Sequence, residues 1–162
     1  MLVLGVDPGT AICGWGVVRQ EGSRIQAVAY GAARTDPALA AAARLAAVYG
    51  EIDALIKRHR PDLVGVEQLF FNKNVRTAMT VGQARGVILL AAARNGVEVV
   101  ECTPLQVKQA VVGYGKAAKE QVIYMTQKLL GLPAKPHPDD VADALAVAIT
   151  HAHARTRRTA LG

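Results

Sequence analysis

Leu2-Val3-Leu4-Gly5-Val6-Asp7-Pro8-Gly9-Thr10 is the stretch on which the fold turns. An apolar run this continuous reads as a strand buried on both faces, in the middle of a mixed or parallel sheet. The run stops at an aspartate, and Pro8-Gly9 then turns the chain. Burying an unpaired carboxylate at the end of such a strand is costly, so Asp7 needs a metal, a cation or water. Asp7 is therefore read as the first ligand of an active site whose other members come later in the chain.

Working outward, residues 14–19 and 24–34 read as second and third strands, and the Gln20-Glu21-Gly22-Ser23 break suits a hairpin turn. Asp36 reads as the cap of a helix with Pro37 at its first position. Leu45, Val48, Tyr49, Ile52, Leu55 and Ile56 recur at helical spacing, and basic Lys57-Arg58-His59-Arg60 closes that helix before Pro61. Residues 62–67 repeat the logic of the first strand: Leu63-Val64-Gly65-Val66, then Glu67. Strand alternation puts Gly5 on the face of Asp7, and Gly65 on the face of Glu67. Something is expected to pack closely against that face beside the acids.

Further helices are expected over about 75–94, from 104, from 116 or 117 to 130, and from 138 to about 154, with a fifth strand at 97–101. Gly82 and Gly86 form a small-residue stripe on the first of these, Asn95-Gly96 stops it, and Thr103 caps the next. Gly113-Tyr114-Gly115 reads as a helix break. On the last helix Asp140 and Asp143 share a face with Ala146 and Val147, small enough to press onto a sheet and carry two acids with it. The whole describes an α/β chain of ribonuclease H-like layout. A five-stranded mixed sheet flanked by helices forms one domain over residues 1–154, followed by a basic tail at 155–162.

With 162 residues, half of them hydrophobic, the chain suits one domain with a real core. Nineteen Lys and Arg against 13 Asp and Glu give a net charge of +6, which fits a polyanionic partner. Cys13 and Cys102 lack both metal-ligand spacing and a disulfide framework. No apolar stretch approaches the ~20 residues of a membrane span. The N-terminal run is too short, and lacks the basic lead, for a signal peptide, so a cytoplasmic location is expected.

Asp7, Glu67, Asp140 and Asp143 are candidates for one site. Two like charges ~4 Å apart repel by about 4 kcal/mol at an effective dielectric of 20. Four acids together call for hard divalent cations, Mg²⁺ or Mn²⁺, and two such ions are suited to phosphodiester hydrolysis. Each acid also has a plainer reading. Aspartate before Pro-Gly forms turns, Glu67 can pair with an arginine such as Arg85, and acids in a first helical turn favour the dipole. Asp139 is four before Asp143, so spacing alone does not choose between Asp139 and Asp140. His151 and His153, two apart on a helix, read as solvated surface. Of Phe70 and Phe71, one is expected in the core and the other stacked on an unpaired base.

Five blocks carry a resemblance: Val6-Asp7-Pro8-Gly9-Thr10, Val66-Glu67-Gln68-Leu69-Phe70, Gly82-Gln83-Ala84-Arg85-Gly86, Gln106-Val107-Lys108-Gln109-Ala110-Val111-Val112-Gly113, and Asp140-Val141-Ala142-Asp143-Ala144-Leu145-Ala146. In this order they closely resemble the RuvC family of Holliday junction resolvases. The resemblance implies a homodimeric ribonuclease H-like endonuclease. It would nick two strands of a four-way DNA junction symmetrically, leaving 5′-phosphate and 3′-hydroxyl ends. By position Asp7, Glu67, Asp140 and Asp143 would hold two Mg²⁺ ions per subunit, with Mn²⁺ as a substitute, and Asp140 is preferred over Asp139. Phe70 would stack on a base near the crossover, and Lys108, Lys119 and Arg76 would contact phosphates. RuvA and RuvB are the implied protein partners, and the dimer contact falls on the helix with Gly82 and Gly86. The rival readings are an actin-like phosphotransferase, for which the chain is too short, an RNA-directed nuclease of the same fold, and a non-catalytic junction binder.

Overall fold

Three antiparallel strands open the chain: β1 (Leu2–Asp7), β2 (Ile12–Glu21) and β3 (Arg24–Arg34). Two more, β4 (Leu63–Glu67) and β5 (Glu98–Cys102), join parallel to β1 and complete a mixed sheet of order β3-β2-β1-β4-β5. The helices are α1 (Ala41–His59), α2 (Val75–Arg94), α3 (Pro104–Val111), α4 (Lys119–Leu130) and α5 (Asp139–Ala160). This computed structural model describes residues 1–68 and 74–160, the last five as helix backbone. Among the described residues no helix is long and apolar enough to cross a membrane.

β1 is buried on both faces, which is what its unbroken apolar run requires. Leu4, Val6, Val17, Val64 and Val66 pack against Val48, Ile52 and Ile56 of α1 and Ile88 and Ala91 of α2. Val3, Val18 and Leu63 point the other way, into a second core with Val107 of α3, Val122 of α4, and Leu145 and Ile149 of α5. Cys13 and Cys102 are free, buried thiols, one in each core.

The second core is shaped by glycine. In the sheet register Gly5 stands between Gly16 on β2 and Gly65 on β4, and Gly14 stands beside Asp7. A Cβ on Gly5 would run into the Ala144 carbonyl oxygen and the backbone of Ala148. One on Gly14 would meet the Asp140 carbonyl, and one on Gly16 the Leu145 side chain. At Gly65 it would meet the His151 ring and the Val147 side chain. The glycines make a trough in which α5 lies almost against the strands, so the expected close packing beside the acids is present on both strands. Gly65→Val is expected to cost about 1–3 kcal/mol, because His151 and Val147 are side chains that shift at a price. A thermal melt should show a fall of roughly 5 °C. An unchanged melt would mean that this face does not depend on close approach.

Several element ends differ from expectation. The Asp36 carboxylate accepts the Ala38 amide at 2.9 Å and closes a turn; α1 begins only at Ala41, with no side-chain cap. α4 begins at Lys119, after Gln121 Oε1 accepts the Ala118 amide at 2.9 Å. α5 begins at Asp139 and continues to Ala160, taking in backbone expected to be tail. His151 is not solvated: it is 6% exposed. Ala144, Ala148 and His151 follow one another on the helix face that enters the trough, so the imidazole is carried inside with them. Among the described residues its Nε2 has no hydrogen-bond partner, and burial lowers its pKa. The helix starts with unambiguous chemistry agree with the sequence: Asn74 accepts the Arg76 and Thr77 amides, and Thr103 with Gln106 forms a reciprocal capping box.

Candidate active site

Asp7 and Glu67 are the last residues of β1 and β4, parallel neighbours in register at Val6 and Val66. Their backbones are therefore about 4.8 Å apart. The glycine trough brings the first turns of α5 down over them, with the Asp140 carbonyl directly above Gly14. Asp7 interacts side chain to side chain with Asp140, and its pKa is pushed up to about 8. Burial is the largest cause, followed by the charges of Asp143 and Asp140, that side-chain interaction, and Glu67. Glu67 is raised by burial and then by Asp143, against the opposing pull of Lys108 and Lys119. Asp143 is raised by burial, with Lys119 opposing and Asp140 and Asp139 adding to the rise. Each of these three acids thus feels at least one other acid, and Asp7 feels Asp143, Asp140 and Glu67 together.

The structure separates Asp139 from Asp140. Asp140 turns inward to Asp7, whereas Asp139 is half-exposed and faces Lys119. The Lys119 ammonium lies 3.7 Å from Asp139 Oδ2 and 3.7 Å from Asp143 Oδ2. Arg85 pairs with Glu101 on β5, not with Glu67, so the plain ion-pair reading of Glu67 is wrong in its partner.

Two clefts flank the acids. One, of about 260 Å³, runs between Glu67, Asp143, Lys108 and Lys119 over a floor that includes Val107 and Val147. The other, of about 490 Å³, is lined by Gly9, Thr10, Arg76, Thr77, Thr80 and Asp140. Glu67 and Asp143 thus share a cleft with the lysines, and Asp140 shares one with Arg76. Phe70 and Phe71 lie outside the described residues. Sequence reasoning missed the link from Asp139 to Lys119, and Thr77 and Thr80 in the second cleft. The four-residue spacing of Asp139 and Asp143 signals a shared face, but only folding brings α4 to it.

The donor set fits a hard divalent cation. All four groups are carboxyls, and the raised proton affinity of Asp7, Glu67 and Asp143 marks an excess of negative charge that a cation would relieve. Among the described residues no three His, Cys, Asp or Glu side chains are already drawn together as a metal cage.

The sequence profile of crossover junction endodeoxyribonuclease RuvC matches residues 3–151. The chain is similar to crossover junction endodeoxyribonuclease RuvC of Pelotomaculum thermopropionicum, 61% identical over 153 residues, 94% of this chain and 93% of the relative. It is also similar to the RuvC of Heliobacterium modesticaldum, at 59% over 156 residues, 96% of each chain. Among solved structures, Thermus thermophilus RuvC in complex with Holliday junction substrate superposes with a TM-score of 0.93 at 39% identity, covering 98% of this chain and 97% of that one. The yeast mitochondrial resolvase Ydc2 shares the fold, with a TM-score of 0.67 at 14% identity over 96% of this chain and 80% of its own. With a five-stranded ribonuclease H-like sheet, acids at the ends of β1 and β4, and this extent of identity, the chain belongs to the crossover junction endodeoxyribonuclease RuvC family.

Proposed function

We propose that this chain resolves Holliday junctions in recombination and DNA repair by nicking two strands symmetrically, leaving 5′-phosphate and 3′-hydroxyl ends. The observation that carries the reading is the convergence of Asp7, Glu67, Asp140 and Asp143 from β1, β4 and α5, with Lys108 and Lys119 beside them. Family membership, and a relative's structure described as bound to Holliday junction substrate, support the choice of DNA form.

The four carboxylates would hold two Mg²⁺ ions, with Mn²⁺ able to replace them. When bound, such ions activate a water and stabilise the leaving oxygen of a phosphodiester. The chain's own side chains do the rest. Lys108 and Lys119 hold the oxygens of the scissile phosphate from one cleft, and Arg76 holds a neighbouring phosphate from the other. Phe70 stacks on an unpaired base at the crossover. Burial of Asp7 and Glu67 at strand ends keeps their positions rigid, so the phosphate is aligned by the sheet rather than by loops.

A two-fold dimer gives two such sites for two equivalent strands. Val75, Met79 and Leu90 of α2 are exposed, and a side chain at Gly86 would meet open space, so this helix offers an apolar, close-approach surface for a second copy. RuvA and RuvB are the proposed protein partners, in the cytoplasm. The test is cleavage of a labelled mobile four-way junction with Mg²⁺, alongside a linear duplex and an RNA–DNA hybrid. Paired symmetric nicks on the junction alone are expected. Cleavage of the hybrid instead would make the chain an RNA-directed nuclease, and binding without cutting on any crossover sequence would make it a scaffold.

A further inference from the structure

A lysine shared by two carboxylates keeps one partner when the other is taken. Lys119 Nζ stands 3.7 Å from both Asp139 Oδ2 and Asp143 Oδ2, so neither contact is the closed charge-assisted bond of roughly 2.7–2.9 Å. Asp139 and Asp143 are one helical turn apart on one face of α5, while Asp140 is turned about 100° from Asp139 and meets Asp7. Asp143 lines the lysine cleft; Asp139 lines neither cleft and is half-exposed at its rim. We propose that Asp139 is a positioning residue for Lys119, holding the ammonium at the lip of the site when a cation engages Asp143.

The proposal rests on the reading of Asp143 as a cation ligand and Lys119 as a phosphate contact. Without Asp139, Lys119 has two alternatives once a cation arrives: to compete for Asp143, or to swing into solvent. Both misplace the charge that the phosphate needs. An exposed ion pair contributes little to stability, so the effect falls on rate and not on folding.

Asp139→Asn, Lys119→Met and the double variant would be compared in the full-length protein. Single-turnover junction cleavage and calorimetric Mn²⁺ binding without DNA are the two readouts. Asp139→Asn is expected to slow cleavage roughly three- to tenfold, with the Kd for Mn²⁺ within about threefold of wild type. In the Lys119→Met background it is expected to add no further slowing, because its route of action is gone. Further slowing in that background would overturn the proposal, as would a tenfold or greater loss of Mn²⁺ affinity, which would make Asp139 a ligand. If Lys119→Met slows cleavage and Asp139→Asn does not, the proposal alone fails. If Lys119→Met cuts at the wild-type rate, the placement of Lys119 at the phosphate fails with it.

Discussion

Asp7→Asn is expected to lower junction cleavage on the order of 10³-fold or more while leaving junction binding within about twofold. Asparagine keeps the shape of the side chain and loses the charge that a divalent cation needs. Under the proposed function, binding depends instead on Lys108, Lys119 and Arg76, which the substitution does not touch. A variant that still cuts would remove Asp7 from the site and with it the metal reading. The same substitution has a second expected effect, opposite in sign. Asp7 is raised from 3.8 to about 8 in the folded protein, so the native state holds its proton more tightly than the unfolded chain does. Such a group favours the fold below about pH 4, and that contribution is lost as pH rises toward 8. With chelator present, wild type should therefore weaken more across that window than the asparagine variant, in which only Glu67 and Asp143 remain raised. At pH 8.5 the variant should melt higher by roughly 5 °C, and near pH 4 the two should coincide. Added Mg²⁺ should raise the wild-type melt and leave the variant's nearly unchanged, since a ligand stabilises only the state that binds it. Equal melting at both pH values would mean that Asp7 does not carry the strain of the cluster.

Gly5→Val is expected to prevent stable folding. The obstruction is the backbone of α5 itself, the Ala144 carbonyl and the Ala148 amide, and backbone cannot rotate out of the way as a side chain does. To admit even a Cβ, α5 must lift from the trough, opening the core built on Leu145 and Ile149 and withdrawing Asp140 and Asp143 from the strand ends. A loss of about 4 kcal/mol or more is expected, against a total stability on the order of 5–15 kcal/mol. Far-ultraviolet circular dichroism and solubility would read it. Gly50→Ala is the control: it lies in α1 with nothing within 4 Å of an added Cβ, so it should gain about 0.5–1 kcal/mol. Wild-type melting of Gly5→Val would show that α5 does not depend on the trough.

Much of this was legible beforehand because it rests on short-range rules. An apolar run ending in an acid gave β1 and β4, and the two-residue period placed Gly5 behind Asp7 and Gly65 behind Glu67 without knowledge of any partner. Thr103, and Asn95-Gly96, marked helix ends because their side chains or backbone act on residues only a few positions away. Asp36 misled for the same local reason: an aspartate closes a turn as readily as it caps a helix, and which occurs depends on where α1 must start to cover Leu4 and Val66. His151 misled because polar residues default to solvent, whereas its place on the trough face of α5 overrode that default.

The sequence by itself determined the order of strands and helices, the two strand-end acids and the small-residue face of the last helix. Spacing left Asp139 and Asp140 open and the resemblance preferred Asp140; only the tertiary structure turned Asp140 toward Asp7 and Asp139 toward Lys119, gave Arg85 to Glu101 and set Lys119 between two carboxylates. The physical reason is that spacing specifies angles around a helix axis but not the rotation of that axis against its neighbours. That rotation is fixed by Ala144, Leu145 and Ala148 settling against Gly5 and Gly16, contacts that join residues more than a hundred positions apart.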